Sequence, residues 1–285
     1  MAALEARFKE QAVLLGPRRS LVAIVARPLV AQRAGEPVIV ILNTGIVHRV
    51  GHHRMYVTLA RILASDGRTV VRFDLSGIGD SIPRGDSLTP LIGALADIKE
   101  ALDSLETLYQ ASRFILVGLC SGADHAVLYG HTDPRIAGLV LMDPTLPPTP
   151  RYYFYYIAQR LGRVRNWISV LTGRSGLLRL AAEHLGNRFK PQNDLQGLTL
   201  QNLQFSRYLA RCYQATAARR TRLLSVFTAI STRHTYAQQW LDAFPEVSAS
   251  GAMRLEFFAD SDHLFSADKD RARLFRVIGD WLGSD

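Results

Sequence analysis

Short, fully apolar runs alternate with longer amphipathic stretches along most of this chain, and that alternation limits its fold more than any other feature. Val38–Leu42 is a strand-sized run bounded by Glu36-Pro37 and Asn43-Thr44-Gly45. Arg54–Ala64 follows with apolar residues at helical spacing, ended by Asp66-Gly67. The pattern then repeats: strands are expected at Thr69–Phe73, Phe114–Val117, Ile136–Met142, Leu223–Thr228 and Met253–Phe258. Helices are expected at Pro90–Tyr109, Ala123–Gly130, around Tyr236–Ala243 and from about Asp268 to Leu282. Uninterrupted apolar strands separated by helices imply a mostly parallel sheet buried on both faces. Gln11–Leu15 and Leu21–Ala26, parted by Gly16-Pro17, read as an antiparallel hairpin leading into it. The first ten residues, MAALEARFKE, read as a charged helical start.

The 285 residues are 48% hydrophobic and 21% charged, which suits a globular core and excludes a disordered or collagen-like chain. No apolar run approaches the roughly 18 residues of a membrane span, and the N-terminus lacks the apolar centre of a secretory signal. Cys120 and Cys212 are too few for a disulfide framework or a four-ligand zinc site, so a reducing cytoplasm is the expected location.

The charge is concentrated in one place. The net charge is +9, yet the 72 residues from Arg151 to Arg222 carry thirteen basic residues and only two acids, Glu183 and Asp194. The remainder is therefore slightly acidic, and the basic stretch reads as an insertion.

Gly118-Leu119-Cys120-Ser121-Gly122 is the most informative run, because it follows an expected strand and opens an expected helix. Glycines two residues either side of the centre let strand and helix backbones approach without a Cβ clash. The central side chain is then presented at a helix N-terminus, where the dipole and free N–H groups favour negative charge. Here the centre is Cys120, a candidate nucleophile, and Ser121 offers its backbone N–H to a developing oxyanion.

Taken together, these residues resemble the α/β-hydrolase superfamily over nearly the whole length. Gly118–Gly122 is similar to its nucleophile elbow, Asp74-Leu75-Ser76-Gly77-Ile78-Gly79-Asp80-Ser81 to its D-x-x-G-x-G-x-S turn, and Asp262-His263 to its catalytic-histidine loop. More narrowly, Arg49-Val50-Gly51-His52-His53-Arg54, Leu59-Ala60-Arg61 and Gly118–Ala123 resemble the bacterial hydrolases called exosortase A system-associated. The resemblance implies an α/β-hydrolase core over 1–148 and 223–285. Its mostly parallel, eight-stranded sheet would be flanked by helices, with a basic, aromatic-rich helical cap inserted at 149–222.

It also implies His263 as the base and a second oxyanion donor at the backbone of Gly45 or Ile46. The family usually carries its acid after the seventh strand, but Ala229–Thr235 contains no carboxylate and Asp242 comes too late. Asp143, ending the sixth strand, is the remaining candidate; the alternative is a Cys–His dyad without an acid. His48, His52 and His53 cluster after the third strand without carboxylate or thiolate companions at ligand spacing, so no metal is expected, nor any cofactor. His125, His131, His184 and His234 have no context that promotes them.

The expected activity is acyl transfer to water, as an esterase or thioesterase acting through a covalent acyl-enzyme. Two alternatives stand beside it: an acyltransferase drawing on a CoA or carrier-protein thioester, and a non-catalytic binding protein that keeps the fold. Arginines beside Tyr152–Tyr156 in the basic segment suit an anionic ligand or a peripheral membrane surface, while no nucleic-acid-binding motif appears.

Overall fold

The computed structural model describes residues 7–29, 35–146, 151, 203–229, 239–244 and 253–284. Eight strands form one sheet: β1 Phe8–Leu15, β2 Leu21–Pro28, β3 Val38–Ile41, β4 Val70–Phe73, β5 Phe114–Leu119, β6 Ile136–Met142, β7 Arg222–Thr228 and β8 Met253–Phe258. Their spatial order is β1-β2-β4-β3-β5-β6-β7-β8. β1 and β2 run antiparallel, as do β2 and β4, and the strands from β4 through β8 are parallel. The described helices are α1 Met55–Ser65, α2 Pro90–Tyr109, α3 Ser121–Gly130, α4 Leu203–Ala218, α5 Gln239–Ala243 and α6 Asp268–Leu282. This is the α/β-hydrolase fold.

Each face of the sheet has its own core. On one, α2, α3, α4 and α5 bury residues such as Ile98, Ala126, Tyr213 and Trp240 against Val40, Leu116 and Leu139. On the other, α1 and α6 bury Tyr56, Leu59, Leu274 and Ile278 against Ile41, Val117 and Val140. Successive residues of β3, β5 and β6 alternate between the two cores, which explains why these strands are apolar throughout.

One expectation fails at the start of the chain. Phe8-Lys9-Glu10 belong to β1 and pair with Pro28, Arg27 and Ala26. Glu10 anchors the pairing by ion pairs to Arg61 (2.6 Å) and Arg72 (2.9 Å), long-range contacts that outweigh the local helical pattern. Smaller differences lie at the elbow, where β5 runs on to Leu119 and α3 begins at Ser121.

Most of the proposed cap, 149–202 except Arg151, lies outside the described residues. Its C-terminal part is described: α4 buries Leu209, Cys212 and Tyr213 in the core, and Arg222 already opens β7. Two of its arginines serve the core. Arg219 donates to the backbone of His131 (3.0 Å) and Asp133 (2.8 Å), and Arg222 stacks on Trp281 at 4.6 Å. Among the described residues no helix is long and apolar enough to cross a membrane.

Candidate active site

The parallel strands end along one edge of the sheet, and the sequence-predicted site residues gather there. Cys120 leaves β5 with φ 56° and ψ −120°, a left-handed conformation that costs a non-glycine residue about 1–3 kcal/mol. The surroundings enforce it. Cys120 N–H donates to Met142 O (2.9 Å), and Cys120 O accepts the amides of Ala123 (3.0 Å) and Asp124 (3.1 Å). A Cβ on Gly118 would fall on the backbone of Gly122, and one on Gly122 would come within 2.5 Å of Asn43 O. Only glycine fits either position, so the flanking glycines of the motif follow from close approach. The half-buried thiol stands at the N-terminus of α3.

His263 reaches the same edge from the loop after β8. The Asp262 carboxylate accepts the amides of Leu264 (2.8 Å) and Ser266 (3.2 Å), while Phe265 is buried edge-on against Phe258. The loop is thus fixed on both sides of the imidazole, whose side chain remains 34% exposed. His263 Nδ1 lies 2.9 Å from Asp143 Oδ2, and the imidazole is close enough to Cys120 for the sulfur to act on its charge. The Asp143 carboxylate, then the Cys120 sulfur, raise His263 to about 9, overcoming a burial effect in the opposite direction. At neutral pH the imidazole is therefore protonated.

Asp143 sits at the end of β6 with φ 42°, its amide bonded to Val226 O (2.8 Å) and its side chain buried. Thr228, the last residue of β7, completes its coordination: N–H to Oδ1 at 2.8 Å and Oγ1–H to Oδ2 at 2.5 Å. No local feature of the sequence marks Thr228. Its signal was positional, since β7 neighbours β6 and its C-terminal residue must lie beside Asp143.

The loop after β3 carries the other oxyanion candidates. Gly45 N–H donates to Ser121 Oγ at 2.7 Å, and Ile46 is almost wholly exposed. As expected at the first turn of a helix, the Ser121 amide has no acceptor among the described residues. Thr44 Oγ1 bonds the hydroxyl of buried Tyr56 at 2.6 Å; Tyr56 also bonds the backbone of Leu119, and burial pushes it up to about 12. The same loop is tied to Asp74, which accepts Asn43 Nδ2 (3.1 Å) and the Arg49 amide (2.6 Å).

His48 acquires carboxylate neighbours in space that its sequence surroundings lack. Potential ligand atoms of His48, Asp74 and Asp80 lie within 4.8 Å of one another. The Arg49 guanidinium, however, already bonds both Asp74 and Asp80, supplying the positive charge a cation would bring. His52 lies close enough to His53 and His263 for their charges to add to burial in lowering it. Burial alone takes His125 down to about 4, while His131 lies beside Cys212 (3.9 Å). His184 and His234 lie outside the described residues.

The fold recurs widely. An esterase of Pyrococcus furiosus superposes with a TM-score of 0.60 at 14% identity, over 98% of this chain and 91% of that one. A Xanthomonas campestris protein described as an α/β serine hydrolase without a lid superposes with a TM-score of 0.52 at 13% identity, over 98% and 95% of the two chains. No curated protein sequence matches the chain. A family model does, that of the serine aminopeptidase S33 hydrolases, and it matches residues 39–213, taking in the elbow and Asp143. With its eight-stranded sheet and this match over more than half of its length, the chain belongs to the serine aminopeptidase S33 family and is an α/β-hydrolase-type enzyme.

Proposed function

We propose that this hydrolase is an esterase or thioesterase in which Cys120 is the nucleophile, His263 carries the proton and Asp143 orients and charges the histidine. The observation that carries the reading is His263, hydrogen-bonded to a buried carboxylate and close enough to Cys120 for the sulfur to act on its charge. In this reading Cys120 attacks as a thiolate, its proton held on His263. The sulfur attacks the acyl carbonyl, and the oxyanion forms against the Ser121 amide and an amide of Gly45 or Ile46. As the intermediate collapses, the leaving alkoxide or thiolate takes the proton from His263, leaving a thioester on Cys120. Neutral His263 then accepts a proton from the attacking water, the carboxylic acid departs, and the thiolate–imidazolium pair is restored.

Transfer to an acceptor other than water is the second reading, and the cysteine favours it. An acyl group on Cys120 is a thioester, nearly isoenergetic with a CoA or carrier-protein donor. In the same reading the chain is akin to the exosortase A system-associated hydrolases, which its motifs resemble. The basic segment is the part suited to an anionic carrier or membrane surface, and a cytoplasmic location fits its cysteine usage. Within this reading, the part of 149–222 that precedes α4 is the cap over the site.

Intact-protein mass spectrometry after mixing with acyl-CoAs and p-nitrophenyl esters tests the reading. An acyl adduct is expected on the native protein and on His263→Ala, with slower turnover in the variant, and no adduct on Cys120→Ala. The adduct's lifetime in water separates hydrolysis from transfer. Undiminished product from Cys120→Ala would overturn the assignment.

A further inference from the structure

Beside Cys120, one polar group has no part in the reaction above: the Ser121 hydroxyl. Its Oγ accepts the Gly45 amide at 2.7 Å, across the space between the loop after β3 and the elbow. Oxyanions are held by amide donors at about 2.7–3.1 Å, so Ser121 Oγ is at oxyanion distance from Gly45 N–H. We propose that the Ser121 hydroxyl is the resting occupant of the oxyanion hole, keeping the Gly45 donor aimed until the acyl carbonyl oxygen displaces it. This rests on the acyl-transfer reading and deepens it by making Gly45 the second donor and Ser121, through its side chain, a positioning residue.

Three observations support an occupant that leaves. The bond lies in an exposed position, so water can take up the hydroxyl once a single χ1 rotation moves it away. The loop has other anchors: Thr44 to Tyr56 (2.6 Å), Asn43 Nδ2 to Val47 O (2.8 Å) and Leu75 N–H to Asn43 Oδ1 (2.8 Å). Gly45 therefore keeps its place after Ser121 departs. Finally, the exchange discriminates by charge. A neutral carbonyl that replaces a neutral hydroxyl gains little, whereas an oxyanion makes a charge-assisted bond roughly twice as strong. The hydroxyl thus competes with the bound carbonyl and yields fully to the oxyanion, a competition that weighs on substrate binding rather than on the chemical step.

Two measurements on the intact chain decide the matter. In 15N-labelled native protein, titration with sodium butyrate, a carboxylate that mimics product, is expected to shift the Gly45 amide resonance. In Ser121→Ala the same titration should saturate at about fivefold lower butyrate, the worth of one net hydrogen bond. With p-nitrophenyl butyrate, Ser121→Ala should lower KM about fivefold at nearly unchanged kcat, and Ser121→Thr, which keeps the hydroxyl, should restore native values. A Gly45 resonance that butyrate leaves unmoved in native protein would overturn the proposal, even if Ser121→Ala failed to fold. So would a fall in kcat at constant KM, the mark of a lost donor or lost scaffold. Turnover that survives Cys120→Ala would defeat the nucleophile assignment, and the butyrate titration would still decide on Ser121.

Discussion

Two buried aspartates end parallel strands of the same sheet, and they differ in what neutralises them. Asp74 follows β4 and is met by the Arg49 guanidinium, which reaches on to Asp80 at 2.8 Å. Asp143 follows β6 and is met by His263 at 2.9 Å. Arginine keeps its charge at any pH the protein meets, so the Asp74 pair is a fixed tie between the β3 loop and the glycine-rich turn after β4. Histidine can give its proton away, and its other contact is the candidate nucleophile. A buried carboxylate paired with a permanent cation holds a loop; one paired with a titratable, partly exposed base can drive chemistry.

The largest expected effect comes from breaking the fixed pair. Arg49→Met leaves Asp74 buried without its cation, and removing one partner of a buried ion pair costs about 3–5 kcal/mol. Urea unfolding should show that loss, with activity falling only as far as the folded fraction and the Gly45 loop are disturbed. A stability change within about 0.5 kcal/mol would mean that His48, 3.5 Å from Asp74, together with Asn43 and the amides of Arg49 and Asp80, already suffices for the carboxylate, and the contrast would dissolve.

Asp143→Asn tests the other side, where the loss should fall on rate. His263 is raised to about 9 first by Asp143 and then by Cys120. Its imidazolium therefore stabilises the fold fully below the ordinary histidine value near 6.5, and that contribution is lost as pH rises through about 9. Under the proposed mechanism the leaving group also needs the imidazolium proton, so the alkaline limb of kcat/KM should lie near pH 9. In Asp143→Asn the limb should move down toward 6.5, and kcat should fall on the order of a hundredfold, less than the ~10⁴ of serine triads because a thiolate needs less activation. An unmoved limb would leave Cys120 and His263 as a dyad with Asp143 as scaffold.

What the sequence made legible follows the same division. The eight strands and the elbow are local patterns: apolar runs of strand length, and glycines forced by close approach. His263 was legible because it lies just past the last strand and before the final helix. Asp143 could be named only as one option, since its role depends on β6 lying beside β7. Thr228, the Tyr56–Thr44 bond and the Ser121 hydroxyl were out of reach for that reason, as they exist only once neighbouring strands are in register. Arg49 was visible within a motif, but its carboxylate partners lie at the end of the next strand and in the turn beyond it. The helical reading of Phe8–Glu10 failed because ion pairs from α1 and β4 decide that stretch.

The smallest effect separates charge from orientation at Asp143. Thr228 Oγ1 and His263 Nδ1 both donate to Oδ2, at 2.5 Å and 2.9 Å, while the Thr228 amide holds Oδ1. Thr228→Val removes the hydroxyl and keeps nearly the same shape and the amide bond. Stability should fall by about 1 kcal/mol, the worth of one buried hydrogen bond. With one donor fewer sharing its charge, the carboxylate should favour the imidazolium more strongly, so the alkaline limb should move slightly upward as kcat falls less than tenfold. A limb that moved downward together with a larger loss of rate would show that Thr228 matters by aiming the carboxylate at His263. Orientation, more than charge, would then distinguish Asp143 from Asp74.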